Sequence, residues 1–176
     1  MDYQREFLPA QGIARAVHPL FQHLLDTYVS ETNKTASVWS ELRDEQLGFR
    51  PHEKSSTVRE ILTHQILSER RFFAEFMGFP EPPAATLLPA ADAAVTAYIA
   101  RYVDLAAARL GPLAAGEEEF WLAYVPFFDV TRERIWVFWR RVLHTAHHRA
   151  QVGVCLRLLA DQVPPTYGPT ADVTWV

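Results

Sequence analysis

Three of the seven histidines, His144, His147 and His148, fall together in the stretch HTAHHRAQ. On a helix of 3.6 residues per turn His144 and His148 project about 40° apart, close enough to hold one metal ion between them. His147 lies nearer the edge of that arc, beside Leu143 and Val154, and ranks below His148 as a ligand. The spacing HxxxH without an acid is a modest signal, because the same pair also occurs as a partly exposed polar pair on a helix.

A third donor is therefore needed. His64 sits in the middle of VREILTHQILSERRFF, away from caps and loops, with Ser68, Arg71 and Glu75 on its side of the helix. On helix-wheel grounds a histidine satisfied in the core or at an interface is the stronger reading, and the wheel does not decide against a ligand. His18 and His52 fall at a helix start and in a loop, and His23 lies a turn off an apolar face. These three read as surface or capping residues.

Three neutral imidazoles would leave coordination positions open for water or substrate, the arrangement of a catalytic ion. The donor set suits zinc, nickel, iron or copper without choosing among them, and affinity should fall as the histidines protonate. Gln151 could orient a ligand or cap a backbone group. Cys155 reads as core packing rather than a fourth ligand, and Arg71 and Glu75 either meet a substrate or pair across one turn.

Four helices account for these positions. The first starts at Pro19 and carries Phe21, Leu24, Leu25, Tyr28, Thr32, Ala36 and Trp39 at helical spacing. The second begins at a capping box of Thr57 and Glu60 and runs to about Met77 before Gly78. A third spans about Asp92 to Leu110 with Gly111 as a stop. The fourth, capped by Thr131 or Asp129, runs to about Asp161 and carries the histidines. Its arc around His144 and His148, with Val137, Gln151, Val152, Cys155, Leu158 and Leu159, should face the core, and Arg149 and Arg157 should face solvent. The aromatic connection from Gly111 to Val130 is open as to helix or strand, and no clear strand pattern or repeat appears elsewhere. The expected architecture is an all-α four-helix bundle with Pro-rich connections, one domain over residues 1–176. Residues 1–16 form an N-terminal arm, and residues 162–176 a tail packed on the bundle through Tyr167 and Trp175.

The 176 residues carry a formal charge of -4, with no basic footprint for nucleic acid. One cysteine excludes an internal disulfide, and no CxxC pair is present. Neither a signal-peptide core nor a membrane span is evident, so the cytoplasm is the expected compartment and no membrane partner is expected. Trp136, Phe138 and Trp139 point to several sides of one helix, which fits either a homodimer or contact with the aromatic connection.

The order ILTHQILSERRFF, then HTAHHRAQV, then VPPTYGPTAD resembles the DinB/YfiT-like family from about Phe21 to Asp172, most specifically in the HxxxHRxQ core. Members often have a glycine where this chain has Ala150. The resemblance implies an up-down-down-up bundle, frequently dimeric, with a divalent metal on His64, His144 and His148. It implies no DNA binding. It further implies a metal-dependent enzyme acting on a small molecule, as a transferase or isomerase using a low-molecular-weight thiol or as a hydrolase. A non-catalytic metal- or ligand-binding module is the alternative.

Overall fold

The computed structural model describes residues 5–173; Trp175, expected to pack on the bundle, lies outside them. Helix α1 spans Gln22–Trp39, α2 Val58–Arg71, α3 Val95–Ala114, α4 Glu118–Leu122 and α5 Arg134–Leu158, with a hairpin of β1 (Tyr124–Phe127) and β2 (Val130–Glu133) before α5. Among the described residues no helix is long and apolar enough to cross a membrane.

Local chemistry sets most of these boundaries. Pro19 pre-sets the turn that leads into α1, and Nδ1 of His18 accepts the Leu20 N–H at 3.3 Å. The Thr57 hydroxyl accepts from the Glu60 N–H while the Glu60 carboxylate accepts from Thr57 N–H, closing the capping box that starts α2. Beyond Arg71 the same helix continues as a π-helical turn, Phe72–Phe76, and ends at Gly78 with φ of 78°.

Two boundaries depart from the sequence expectation, and the connection it left open takes a definite form. Helix α3 does not stop at Gly111 but continues through Pro112 to Ala114, because fully buried Leu113 and nearly buried Ala114 anchor the last turn in the core. The aromatic connection is both helix and strand, first α4 and then the antiparallel hairpin pairing Tyr124 with Glu133 and Phe127 with Val130. Strand β2 takes up Thr131, so α5 starts later, at Arg134, with no side-chain cap. The alternation that marks a strand is limited to Val125 and Phe127, each 8% exposed, too short a pattern to stand out in sequence.

Residue pairs fix the helix directions. Tyr28 meets Arg109 and Trp39 meets Tyr102, so α1 and α3 are antiparallel. Tyr28 meets Phe138 and Thr35 meets Arg149, so α1 and α5 are parallel. Arg59 bonds Tyr98 and Glu69 pairs with Arg109, making α2 parallel to α3. This is an up-down-down-up four-helix bundle. Trp136 packs on Phe127 and Phe138 on Trp121, both in the connection, while Trp139 stacks on His23.

The apolar core has two parts, one around Tyr28, Phe73, Trp121 and Phe138 and one around Trp39, Ile66, Tyr102 and Leu156. Between them in all four long helices lies a belt of buried charge. Glu69 is within 3.4 Å of Arg109 and 3.2 Å of Arg141, and accepts from the Tyr28 hydroxyl at 2.9 Å. Arg109 also forks onto both carboxylate oxygens of Glu81 at 2.6 Å. Glu31 pairs with Arg149 at 2.8 Å and Lys34 at 2.7 Å, and accepts from the Tyr167 hydroxyl at 2.6 Å. Burial alone would push the Glu31 carboxyl up; Arg149, with hydrogen bonds from Lys34 and Tyr167, outweighs it and holds the group below its ordinary range. Through Tyr167 the Pro-rich tail is tied to α1 and α5.

Candidate metal centre

Helix α2 presents His64 and helix α5 presents His144 and His148 to one point at the solvent edge of their antiparallel interface. Nε2 of His144 lies 3.3 Å from Nε2 of His64 and 3.2 Å from Nε2 of His148. Each of the three residues offers one ligand atom within 4.8 Å of the others. The structure thus brings together the three histidines singled out in the sequence. It leaves His147 outside, exposed, with its Nε2 3.3 Å from the Gln151 amide nitrogen.

A hydrogen bond fixes which nitrogen of His148 faces inward. Nδ1 of His148 is 2.8 Å from Oε1 of Gln151, a contact in which the ring N–H donates, so Nε2 keeps its lone pair. The other end of the same amide donates to His147, which agrees with that orientation. Nε2 of His148 is thereby turned toward the other two rings as an acceptor. Nδ1 of His144 lies 3.4 Å from the Ser68 hydroxyl, a long contact that the hydroxyl can make as donor or as acceptor. Donors about 2.0–2.1 Å from a tetrahedral ion are about 3.3 Å apart, which matches the separations here. The donor set therefore fits a divalent transition metal.

The electrostatics keep the rings neutral. Burial, followed by the Arg141 guanidinium and the neighbouring histidines, pushes His144 down to about 3. Burial and then Arg141 lower His64. For His148 burial again dominates, opposed by the Gln151 hydrogen bond, and the net direction is down. Arg141 is held beside the site by Glu69 and by donation to the Thr145 hydroxyl.

The histidine arc faces the core only in part: Val137, Val152 and Cys155 are buried as the wheel suggested, while Gln151 and Leu158 are exposed. The buried face of α5 is Val137, Phe138, Arg141, Val142, Thr145, Arg149, Val152, Cys155 and Leu156. Leu158, assigned to the inner arc, is 60% exposed, and Arg149, assigned to solvent, is 3% exposed. The cause is the charge belt: Glu31 on α1 draws Arg149 inward and rolls the histidines to the edge of the buried face.

Other expectations are met. Cys155 is buried in the apolar core, where burial raises its thiol pKa. His18, His23 and His52 bond to nearby backbone groups. Arg71 and Glu75, left open between a substrate contact and a mutual pair, do pair at 2.9 Å across one turn. Sequence reasoning had placed Ser68 beside His64 but gave it no role, although its offset of one turn marks it. Phe127, Phe128 and Arg140 were missed because they reach the site from the hairpin tip and the outer side of α5.

Two recesses border the histidines. One, of about 420 Å³, is shared by His64, His148 and Gln151 with the loop around Lys54 and Ser55. The other, of about 480 Å³, is shared by His64 and His144 with Ser68 and Phe72.

Comparison with known proteins is consistent with this arrangement. The chain matches the DinB family over residues 15–174. No curated protein matches it significantly. Two crystal structures share the fold. A DinB-like protein from Bacillus cereus ATCC 10987 has a TM-score of 0.72 at 19% identity, covering 82% of this chain and 95% of that one. A DinB-like protein, YjoA, from Bacillus subtilis has a TM-score of 0.67 at 16% identity, covering 82% of this chain and 97% of that one.

Proposed function

Since the chain belongs to the DinB family, we propose that it is a metal-dependent enzyme acting on a small molecule, with His64, His144 and His148 as the ligands of a zinc, nickel or iron ion. The carrying observation is the convergence of the three imidazoles between two open recesses, with Nε2 of His144 3.3 Å from that of His64 and 3.2 Å from that of His148. When bound, such an ion supplies Lewis acidity that lowers the pKa of a thiol or water nucleophile. The chain's own residues do the rest. Gln151 fixes the ring of His148 and Ser68 steadies that of His144, while burial and Arg141 keep the imidazoles unprotonated at neutral pH.

The two recesses favour two-substrate chemistry, a low-molecular-weight thiol in one and an electrophile in the other, over simple hydrolysis. A non-catalytic metal-binding module is less well supported, because a closed coordination sphere would suit it better than histidines open on both flanks.

The test is metal content by elemental analysis of purified protein and of the His144→Ala/His148→Ala double variant. About one equivalent in the wild type and loss in the variant are expected; full retention in the variant overturns the ligand assignment. Conjugation of cysteine to monochlorobimane, run with zinc-, nickel- or iron-loaded and metal-free protein, then separates transferase from module. Acceleration only in a metal-loaded form supports the enzyme, and no acceleration with any metal overturns it.

A further inference from the structure

We propose that the recess of about 480 Å³ beside His64 and His144 is a binding site for the carboxylate of an aromatic acid, a second substrate of the enzyme proposed above. The inference rests on that reading for catalysis, while the binding it describes is independent of the metal.

Its walls are aromatic on one side. Phe72, from the π-helical turn, packs on Phe127 at 5.6 Å between ring centroids, and Phe127 on Phe128 at 4.8 Å. π-helical turns inside α-helices are frequent at functional sites. Phe128 is the first of the two residues joining β1 to β2, and its φ of 53° lies in the region where glycine is favoured. Its ring is nonetheless 64% exposed. The two-residue turn itself asks for that φ, which Gly, Asn or Asp supply more readily; a phenyl ring kept there and left to solvent gains little for the fold and is available to a ligand.

The other side is cationic. Arg140 lies beside the Trp136 ring at 5.7 Å and has no hydrogen-bond or ion-pair partner among the described residues. Arg71 sits over the Phe128 ring at 5.1 Å, and Glu75 engages its Nε at 2.9 Å, which leaves its Nη donors for a ligand. Among the described residues no carboxylate lines the recess. Two guanidinium groups beside three phenyl rings recognise a planar apolar body that ends in a carboxylate. The volume lies within the range of small-molecule sites.

The test uses 2-naphthoate and its neutral isostere 2-naphthamide as probes, with binding followed by calorimetry on EDTA-treated and zinc-loaded protein. Naphthoate should bind the metal-free protein about tenfold more tightly than the amide. The exposed-site variant Arg140→Glu should lose that preference with unchanged thermal stability. Phe128→Gly, which relieves the backbone, should keep a Tm near that of the wild type and bind both probes more weakly. Equal affinity for acid and amide overturns the proposal, as does a preference that survives Arg140→Glu combined with Arg71→Glu. Binding that requires zinc also overturns it, since the carboxylate would then be reading the ion, and leaves the metal assignment standing. Conversely, a charge preference in protein that never takes up metal supports the site while the metal reading fails.

Discussion

Gln151→Leu offers a direct measure of how the site is held. Gln151 does not point an atom at the convergence of the three Nε2 groups; it accepts the Nδ1 proton of His148 at 2.8 Å. Removing that acceptor frees His148 to exchange tautomers and to rotate, so that its Nε2 lone pair is no longer pre-aimed. Groups that orient metal-bound histidines in this way are worth about 10–100-fold in affinity. Gln151 is exposed, and water can replace part of its hydrogen bond, which places the loss at the low end, about tenfold or ~1.4 kcal/mol. The fold should change by less than about 0.5 kcal/mol, as for other surface positions. Competitive zinc titration against a chromophoric chelator reads the affinity, and thermal denaturation of the metal-free protein reads the fold. Gln151→Glu, which keeps an acceptor and adds charge, should bind zinc at least as tightly as the wild type. Unchanged affinity in Gln151→Leu, or a loss accompanied by an equal loss of fold stability, would refute the orienting role.

Acidification should destabilise the metal-free protein through His144. Its pKa is near 6.5 when unfolded and about 3 when folded, so its contribution is full above about pH 6.5 and is lost as pH falls toward 3. The Tm of EDTA-treated wild type should therefore fall more steeply between about pH 7 and 4 than that of His144→Gln; parallel profiles would contradict it. Arg149→Met removes the main partner of buried Glu31 and should cost about 3 kcal/mol, the low end for a broken buried pair because Lys34 remains. That corresponds to a fall in Tm of roughly 6–12 °C; adding Glu31→Leu alone should not restore it, because buried Lys34 then loses its carboxylate, whereas adding Glu31→Leu together with Lys34→Met should restore much of it; a fall below about 2 °C in the single variant would show the pair to be dispensable.

Local signals carried much of the fold. The capping box at Thr57, the apolar face of α1 from Phe21 to Trp39 and the break at Gly78 all depend on residues close in sequence, and all three stand in the structure. What was hidden depends on partners far along the chain. Arg149 reads as a surface residue until Glu31, 118 positions away, is placed beside it. Gly111 reads as a stop until the burial of Leu113 is known. Phe128 reads as an apolar residue of an undecided connection, because nothing in its neighbours shows that the hairpin tip forces a positive φ. For the site, HxxxH located its α5 half, whereas His64 was ambiguous on the wheel and was singled out through the family resemblance.

The buried charge belt and the histidines are parts of one arrangement. Arg141, Thr145 and Arg149 repeat every four residues on the inner face of α5, while His144 and His148 repeat with the same interval on its edge. An apolar inner face would tolerate small rotations of the helix, since methyl groups repack with little directional preference. Guanidinium groups paired with fixed carboxylates on α1 and α2 do not, because a rotated helix would strand a buried charge. Glu69 holds Arg141 from α2, the same helix that carries His64 one and a half turns earlier. The pairing that sets the rotation of α5 therefore also sets the distance between its histidines and His64. A core of mixed polarity, costly as a source of stability, is here the element that brings three nitrogens from two helices to one point.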